Sequence, residues 1–270
     1  MRTSSAWAAH VKRGNIMNKL LNRVPEVTLV FWLIKIMATT VGETAADFLS
    51  ATLHLGLGIT SYIMSGLLVV ALLIQFKLKR YVPTSYWVVV VLVSILGTLI
   101  TDRLVDEAGV SLVTTSIIFG AALVVTFVLW YASEKTLSIH SIFTAKRELF
   151  YWAAILCTFA LGTAAGDLFA EGMHLGYAPS ALIFGGVIVV ITFAHYVFKL
   201  NAVLAFWLAY ILTRPLGASM GDWLSQPLSN GGLGLGTVGT SAVFLMVILG
   251  LVSYISLQQK QRLPAVSTAK

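Results

Sequence analysis

One pattern of three residues recurs four times along this chain and constrains its fold more than any other feature. Each copy has a Trp, a Gly ten positions later and an Asp five positions after that. The copies are Trp32/Gly42/Asp47, Trp87/Gly97/Asp102, Trp152/Gly162/Asp167 and Trp207/Gly217/Asp222. The Trp positions are 55, 65 and 55 residues apart, so the two halves of the chain match at a period of 120 residues. This spacing predicts a duplicated half that itself contains two related units.

All four copies lie in long apolar stretches. Of 270 residues, 58% are hydrophobic and 11% are charged, whereas a soluble domain has about 25% charged residues. A water-soluble core is therefore excluded, and each apolar run of about 20 residues is expected to cross a membrane as a helix. Hydropathy and breaker residues place eight spans near 27–48, 59–76, 84–105, 112–131, 149–170, 179–198, 202–224 and 236–256.

The basic residues are distributed unevenly between the two ends of these spans. Fifteen Lys and Arg residues fall in the two tails and the even-numbered connections, and only Arg103 falls in the odd-numbered ones. This asymmetry predicts that both termini are cytoplasmic. Each unit has an even number of spans, so all four units point the same way and their pseudo-symmetry axis runs along the membrane normal.

The chain is accordingly divided into a tail, two four-helix halves and a second tail, over residues 1–24, 25–145, 146–258 and 259–270. The first tail is polar and is expected to be disordered and cytoplasmic. No small-residue cleavage site follows the first apolar run, which is interpreted as a retained signal anchor. Met17 is an alternative start site.

A carboxylate is costly inside a membrane, so four of them at equivalent positions indicate one shared site. Each Asp lies about 22 Å beyond its Trp, in the outer third of a core roughly 30 Å thick. The alternative is that four helix-end carboxylates merely reach the outer surface.

Further polar residues accompany the Asp layer. Asp106, Glu171 and Gln226 follow their Asp by four residues, Glu43 precedes its Asp by four, and His54 and His174 follow theirs by seven. Close carboxylates repel one another, which favours binding of protons or of a cation. Carboxylates with one or two imidazoles suit Mn²⁺, Mg²⁺ or a similar divalent ion. The predicted metal ligands are Asp47, Asp102, Asp167, Asp222, Glu43, Glu171, His54 and His174, and Asp106, Arg214 and Gln226 are assigned to substrate binding or gating.

Small residues and aromatic residues have simpler expected roles. A small residue follows each repeat Gly by four positions, a spacing that lets helix backbones approach closely in lipid. Helix packing is therefore assigned to Gly42, Gly97, Gly162, Gly166, Gly217 and Gly221. The four repeat Trp residues are expected at the membrane interface.

Four basic or imidazole side chains lie in or near the spans. Arg214 falls near the middle of the seventh span and must meet an anion or a watery cavity, so it could neutralise a carboxylate or anchor an anionic substrate. Lys35 lies nearer the cytoplasmic end and is expected to snorkel to it. His140 and His195 are expected at the inner boundary.

These residues resemble a known family. Four tandem two-helix repeats, each with an early Trp and a later Gly-x4-Asp, are similar to the bacterial proteins described as "uncharacterised membrane-anchored protein", over about residues 26–256. The resemblance implies a polytopic protein of the bacterial inner membrane and implies no mechanism.

Three classes of function remain open at this point. The leading hypothesis is a secondary transporter of a cation, with a divalent metal ion as substrate and protons as a possible exchange partner; a small organic or anionic solute bound by Arg214 is the alternative within transport. Direct ATP hydrolysis is not expected to drive transport, because there is no P-loop. An enzyme is not expected, because Ala164 and Ser219 break the Gly-x-Gly-Asp motif of intramembrane aspartyl proteases. The third class is a membrane scaffold whose Asp residues bridge helices.

The remaining expectations concern partners. Cys157 is the single cysteine, so no intrachain disulfide can form. The net charge of +7 is attributed to cytoplasmic loops and not to nucleic-acid binding. The expected partners are the lipid bilayer and a transported ion or solute, with homodimerisation left open and no cofactor required.

Overall fold

The protein is all-helical over residues 22–267, the part of the chain that this computed structural model describes. Eight helices in it are long and apolar enough to span a membrane, which confirms the expected fold class. They are α1 (Leu29–Asp47), α2 (Gly56–Lys77), α3 (Pro83–Asp102), α4 (Leu112–Glu134), α5 (Ala145–Asp167), α6 (Tyr177–Val197), α7 (Ala202–Ser225) and α8 (Gly236–Ser267). Residues 1–21 of the expected N-terminal tail, including Met17, lie outside the described residues.

Helix starts follow ordinary capping chemistry. The side chains of Thr28, Ser111, Thr144 and Asn201 accept hydrogen bonds from backbone N–H groups in the first turns of α1, α4, α5 and α7. Pro83 occupies the first turn of α3, where its missing N–H costs little. The helix boundaries predicted from hydropathy and breakers are therefore close to those observed.

The first helices of the four repeats form a closed inner ring. Helix α1 packs against α3 and α7, and α5 packs against the same two helices. In the most apolar window of each inner helix, 56 to 61% of the residues are buried, against 11 to 22% in the second helices. The inner ring therefore surrounds the pseudo-symmetry axis, as the shared small-residue faces predict.

Each second helix packs mainly on the first helix of a neighbouring repeat. Helix α2 packs on α3, α4 on α5, α6 on α7, and α8 returns to pack on α1. The two helices of one repeat are therefore not each other's main packing partners, because each second helix is displaced by one position around the ring. For the same reason, the boundary at 145/146 does not separate two independently packed halves.

The repeat glycines close the ring at its four seams. A Cβ atom at Gly42 would overlap Ser94, one at Gly97 would overlap Phe159, and one at Gly217 would overlap Thr39. In each case the contacted residue lies three positions before the Gly of the next repeat. These close approaches are the kind that the packing role assigned to the glycines predicts, and the contacts show that the repeats meet in cyclic order.

Repeats one to three end their first helix in the same unusual way. A five-residue π-helical turn follows Asp47, Asp102 and Asp167, over Phe48–Thr52, Arg103–Glu107 and Leu168–Gly172. Such turns are rare in proteins, and those that do occur are often found at functional sites. The fourth repeat lacks the turn because Pro227 excludes helical backbone at Gln226, which is extended and ends α7.

The two ends of the bundle differ in composition and are named accordingly. The "basic end" holds the connections at 78–82, 135–144 and 198–201, and the "acidic end" holds those at 48–55, 103–111, 168–176 and 226–235. At the basic end, Asn22 donates from Nδ2 to the Ile139 carbonyl over 3.1 Å, and Val24 is buried. Residues 22–24 therefore belong to the packed body and not to the tail that was expected to end at residue 24.

A polar network joins the chain segments at the basic end. Glu148 is fully buried and receives hydrogen bonds from Arg23 Nη1 at 2.7 Å and from Gln75 Nε2 at 3.0 Å. Ser85 donates to Gln75 Oε1 over 2.7 Å. The N-terminal segment is thereby fixed to three helices, α2, α3 and α5.

Candidate cation site on the pseudo-symmetry axis

Arg214 lies at the centre of the ring, with no exposed surface. Its Nη2 donates to Glu43 Oε2 over 2.7 Å, to Thr163 Oγ1 over 2.7 Å and to Thr98 Oγ1. These three acceptors occupy one repeat position, directly after the Gly, in repeats one, two and three. The fourth repeat has Ala218 there, so one cation from the fourth repeat is held by the matching residues of the other three.

A group of three carboxylates lies beside this guanidinium. Oxygen atoms of Glu43, Asp167 and Asp222 all fall within 4.8 Å of one another. Glu43 and Asp222 are only 5% and 7% exposed. The "acidic cluster", as these three residues are called from here on, therefore concentrates negative charge in a site largely shielded from solvent.

The Asp residues of the layer differ from Glu43 in their hydrogen bonding. Within residues 22–267, none of the side-chain carboxylates of Asp47, Asp102, Asp167 and Asp222 accepts a hydrogen bond. Asp222 is buried and the other three Asp residues are half-buried. A carboxylate enclosed to this extent without donors is costly, and native proteins rarely leave one. The unfilled acceptor capacity is therefore available to a ligand that supplies positive charge.

Asp47 and Asp102 belong to the same layer but not to the acidic cluster. Both are half-buried at the ends of α1 and α3, and both interact electrostatically with Glu43. The structure thus brings two of the four predicted Asp ligands together with Glu43 and places the other two at a greater distance. The four Asp residues therefore form one negatively charged layer, but only two of them converge with Glu43.

The accessory residues are placed further out. Asp106 and Glu171 are exposed within the π-helical turns, and Glu171 accepts a hydrogen bond from Tyr177 Oη over 2.9 Å. Gln226 is half-buried, and its backbone carbonyl accepts from the Gly234 N–H over 2.9 Å. A π-helical turn has more residues than an α-helical one, so the residue four positions after the Asp is not carried to the Asp face.

The two imidazoles predicted as ligands do not join the acidic cluster. His54 and His174 are exposed and adopt left-handed backbone conformations, with φ of 52° and 56°. The equivalent position in the second repeat is Gly109, with φ of 68°. The recurring His therefore marks a left-handed turn after the π-helical segment, a conformation in which His and Gly are both enriched.

Lys35 does not snorkel, contrary to expectation. Its side chain is fully buried, and Nζ lies 4.2 Å from the Phe159 ring centroid and 4.3 Å from that of Tyr210. Nζ has no hydrogen-bond partner within the described chain. Phe159 also faces the Arg214 guanidinium, with 5.6 Å from the ring centroid to Cζ. Two cations therefore contact one aromatic ring on the axis.

The repeat Trp residues lie inside the bundle and not in a belt facing lipid. Trp87, Trp152 and Trp207 are 2 to 4% exposed, and only Trp32 is half-buried. The residues just before them, including Tyr86 and Tyr151, form an aromatic layer in which these two hydroxyl groups are 2.5 Å apart. The interfacial assignment is therefore wrong for three of the four Trp residues, because the inner ring encloses them.

Sequence reasoning missed the Thr98 and Thr163 hydroxyl groups. The information was present in the repeats, because the position after the Gly holds Glu, Thr and Thr in the first three copies. Phe159 and Tyr210 were missed for a different reason. They resemble ordinary core residues until the ring order places them around Lys35.

The chain belongs to the Repeat of Unknown Function (DUF347) family, whose repeat matches it four times, at residues 30–81, 85–136, 150–201 and 205–261. These boundaries agree with the four structural repeats and with the ring that they form. Together with the eight apolar helices, they define a multi-pass membrane protein built from an internal repeat. Neither a curated protein nor a solved structure matches the chain.

Proposed function

We propose that this protein is a secondary transporter of a cation, with a divalent metal ion as the substrate. The observation that supports this most is the acidic cluster: Glu43, Asp167 and Asp222 converge within 4.8 Å, and neither Asp carboxylate accepts a hydrogen bond from the described chain. Oxygen-only ligation by carboxylates suits Mn²⁺ or Mg²⁺. The Asp residues of the layer supply the remaining negative charge.

In the proposed site, Arg214 competes with the bound cation for Glu43. The guanidinium neutralises Glu43 through a 2.7 Å ion pair, and a metal ion that takes Glu43 as a ligand must displace it. Arg214 precedes Pro215, which lies inside α7, and a proline is a common place for a helix to bend. Movement of α7 could therefore exchange Arg214 for the metal ion at Glu43.

The two competing functions receive less support. An anionic substrate would need the guanidinium, whose Nη2 is already engaged by Glu43, Thr98 and Thr163. A scaffold would use each Asp to bridge neighbouring helices, and no such hydrogen bond is present within residues 22–267. Convergence without bridging favours transport over both alternatives.

The proposed setting is the bacterial inner membrane, with the basic end in the cytoplasm. The distribution of Lys and Arg residues supports this orientation. The acidic layer then faces the periplasm, and protons are the proposed coupling ion because carboxylates can release them as a metal ion binds. Reporter fusions at Lys270 and in the 226–235 connection should give opposite signals, and matching signals would overturn this topology.

Uptake into proteoliposomes tests the transport proposal directly. The purified protein is assayed with a panel of divalent ions, including Mn²⁺, with and without a pH gradient. Asp167→Asn and Asp222→Asn remove charge at constant shape and should lower the flux at least about tenfold, a loss of about 1.4 kcal/mol of site stabilisation. Glu107→Gln is the matched control, since Glu107 is an exposed acidic residue at the same end, and it should retain full flux.

The same variants separate transport from a scaffold role. If the Asp residues only join helices, Asn can still form hydrogen bonds, so both variants would resemble the unmodified protein in every assay. Unchanged flux in Asp167→Asn and Asp222→Asn would therefore contradict the shared cation site. The absence of flux for every ion in the unmodified protein would contradict transport itself.

A further inference from the structure

A lateral groove interrupts the repeat symmetry near the basic end of the bundle. It has a volume of about 590 Å³ and follows the seam between α1 and α7, beneath α6 and residues 137–140. Its floor is formed by apolar residues that include Trp32, Ile36 and Ala209. Trp32, the half-buried repeat Trp, thus borders this open space.

The corresponding seam between α5 and α7 is filled by aromatic side chains. There, Phe127 and Trp130 of α4 pack on Trp207, with ring centroids 4.9 Å and 5.8 Å apart. The repeats at 85–136 and 150–201 are offset by 65 residues, so the counterparts of these two aromatic residues on α6 are Thr192 and His195. Both counterparts line the groove, and their smaller size explains why it is open.

The groove has the chemistry of an amphipathic ligand site. An apolar floor leads to a rim of Ser138, His140 and His195, and no carboxylate is among the lining residues. His195 Nδ1 lies 2.8 Å from the Leu200 carbonyl, which leaves Nε2 as its second polar atom. Helix α6 exposes a broad apolar surface on its other side, including Val189, Val190 and Phe193, so lipid surrounds the groove.

We infer that the groove binds one phospholipid with an anionic headgroup, taken from the leaflet at the basic end. One acyl chain lies over Trp32 and fills the space that Phe127 and Trp130 fill at the equivalent seam. The headgroup phosphate lies at the rim, beside His140 and His195. Lys199 precedes Leu200, whose carbonyl contacts His195, and it adds positive charge at the same level. Basic pockets between membrane helices bind anionic headgroups. This inference does not depend on the transport proposal.

Quenching of Trp32 fluorescence by brominated phospholipids tests the inference in the full-length chain. Vesicles of phosphatidylcholine receive increasing mole fractions of brominated phosphatidylglycerol or brominated phosphatidylcholine, and the same titrations with Trp32→Phe isolate the Trp32 signal. A specific site predicts half-maximal quenching at a mole fraction about fivefold lower for the anionic lipid. Equal quenching by both lipids, in proportion to mole fraction, would show ordinary contact with bulk lipid and overturn the inference.

A groove-filling variant provides the second arm. Thr192→Phe combined with His195→Trp places the residues of the second repeat in the third, and it should abolish the quenching of Trp32; His195→Trp alone is the substitute if the double variant does not fold. Because either variant adds an indole, the Trp32 signal is taken as the difference from the same variant carrying Trp32→Phe. Val189→Phe, on the lipid-facing side of α6, is the size-matched control and should leave quenching unchanged. Persistent quenching in the folded filled variant contradicts the site. Quenching that appears only after removal of residues 1–21 would assign the groove to that segment instead.

Discussion

Two buried carboxylates, one at each end of the bundle, show how differently the two ends are built. Glu148 at the basic end is fully buried and accepts hydrogen bonds from Arg23 and Gln75. Asp222 at the acidic end is 7% exposed, and its carboxylate accepts none from the described chain. A buried carboxylate that has its hydrogen-bond donors stabilises one arrangement of the chain. A buried carboxylate without donors is tolerated where a ligand supplies the missing positive charge.

The surroundings of the two carboxylates follow the same division. At the basic end, Tyr86 and Tyr151 pair within an aromatic layer that encloses the repeat Trp residues. At the acidic end, π-helical turns replace regular helix and leave the Asp side chains at the edge of the packed core. The ring is thus held together at one end and is chemically open at the other.

The largest expected effect comes from Glu148→Ala. Removing this carboxylate leaves Arg23 and Gln75 without their partner, and breaking a buried ion pair costs about 3–5 kcal/mol. The free energy of unfolding, measured by denaturant titration in detergent, should fall by that amount. Glu107→Ala, at an exposed ion pair, serves as the control and should change little. Equal stability of the two variants would remove the distinction between the ends.

Gly217→Ala tests the seams that connect the two ends. The added Cβ would overlap the Thr39 side chain and approach the Thr40 backbone nitrogen within 3.1 Å. Overpacking of this kind costs about 1–3 kcal/mol. Gly186→Ala, on the open face of α6 with nothing within 4 Å, should instead gain up to about 1 kcal/mol. A gain or no change in Gly217→Ala, as in the control, would show that the seam does not require glycine at this position.

Lys35→Met tests the layer of the ring that lies between the basic end and the acidic end. The ammonium group is fully buried and has no hydrogen-bond partner in the described chain, and Met keeps the apolar contacts with Phe159 and Tyr210. Removing an unsatisfied buried polar group should raise the thermal stability, by about 1–3 kcal/mol. A stability loss in the melting experiment would show that the two ring contacts more than offset desolvation of the charge.

Asp222→Asn has the smallest expected effect on stability. It removes one negative charge from the acidic cluster and breaks no hydrogen bond, so stability should hold or rise by about 1 kcal/mol at most. Glu148→Gln, the same chemical change at the basic end, should destabilise the protein because it breaks the ion pair with Arg23. If Asp222→Asn proves the more damaging of the two, the acidic end is structural after all.

The fold was predictable from sequence because its determinants are local and repeated. Apolar length gives the spans, and the Gly spacing indicates the inner helices. The order of the ring was not predictable, since nothing near Glu43 indicates that it meets Arg214, 171 positions away. The prediction that His54 and His174 are metal ligands failed because the sequence cannot distinguish two reasons for a recurring His. A His that recurs for its backbone turn gives the same pattern as one that recurs as a ligand. Trp burial was missed because an aromatic residue near a span end fits both the interface and a core.

The displaced covering of the inner helices has a consequence for how such a ring can arise. Residues 25–145 alone leave α1 without an outer helix, because α8 covers it, and leave α4 without the α5 surface on which it packs. Two copies of a four-helix chain could supply each other with the missing partner at both places. A duplicated and fused gene then preserves, within a single polypeptide, the reciprocal exchange of helices that characterises a domain-swapped dimer.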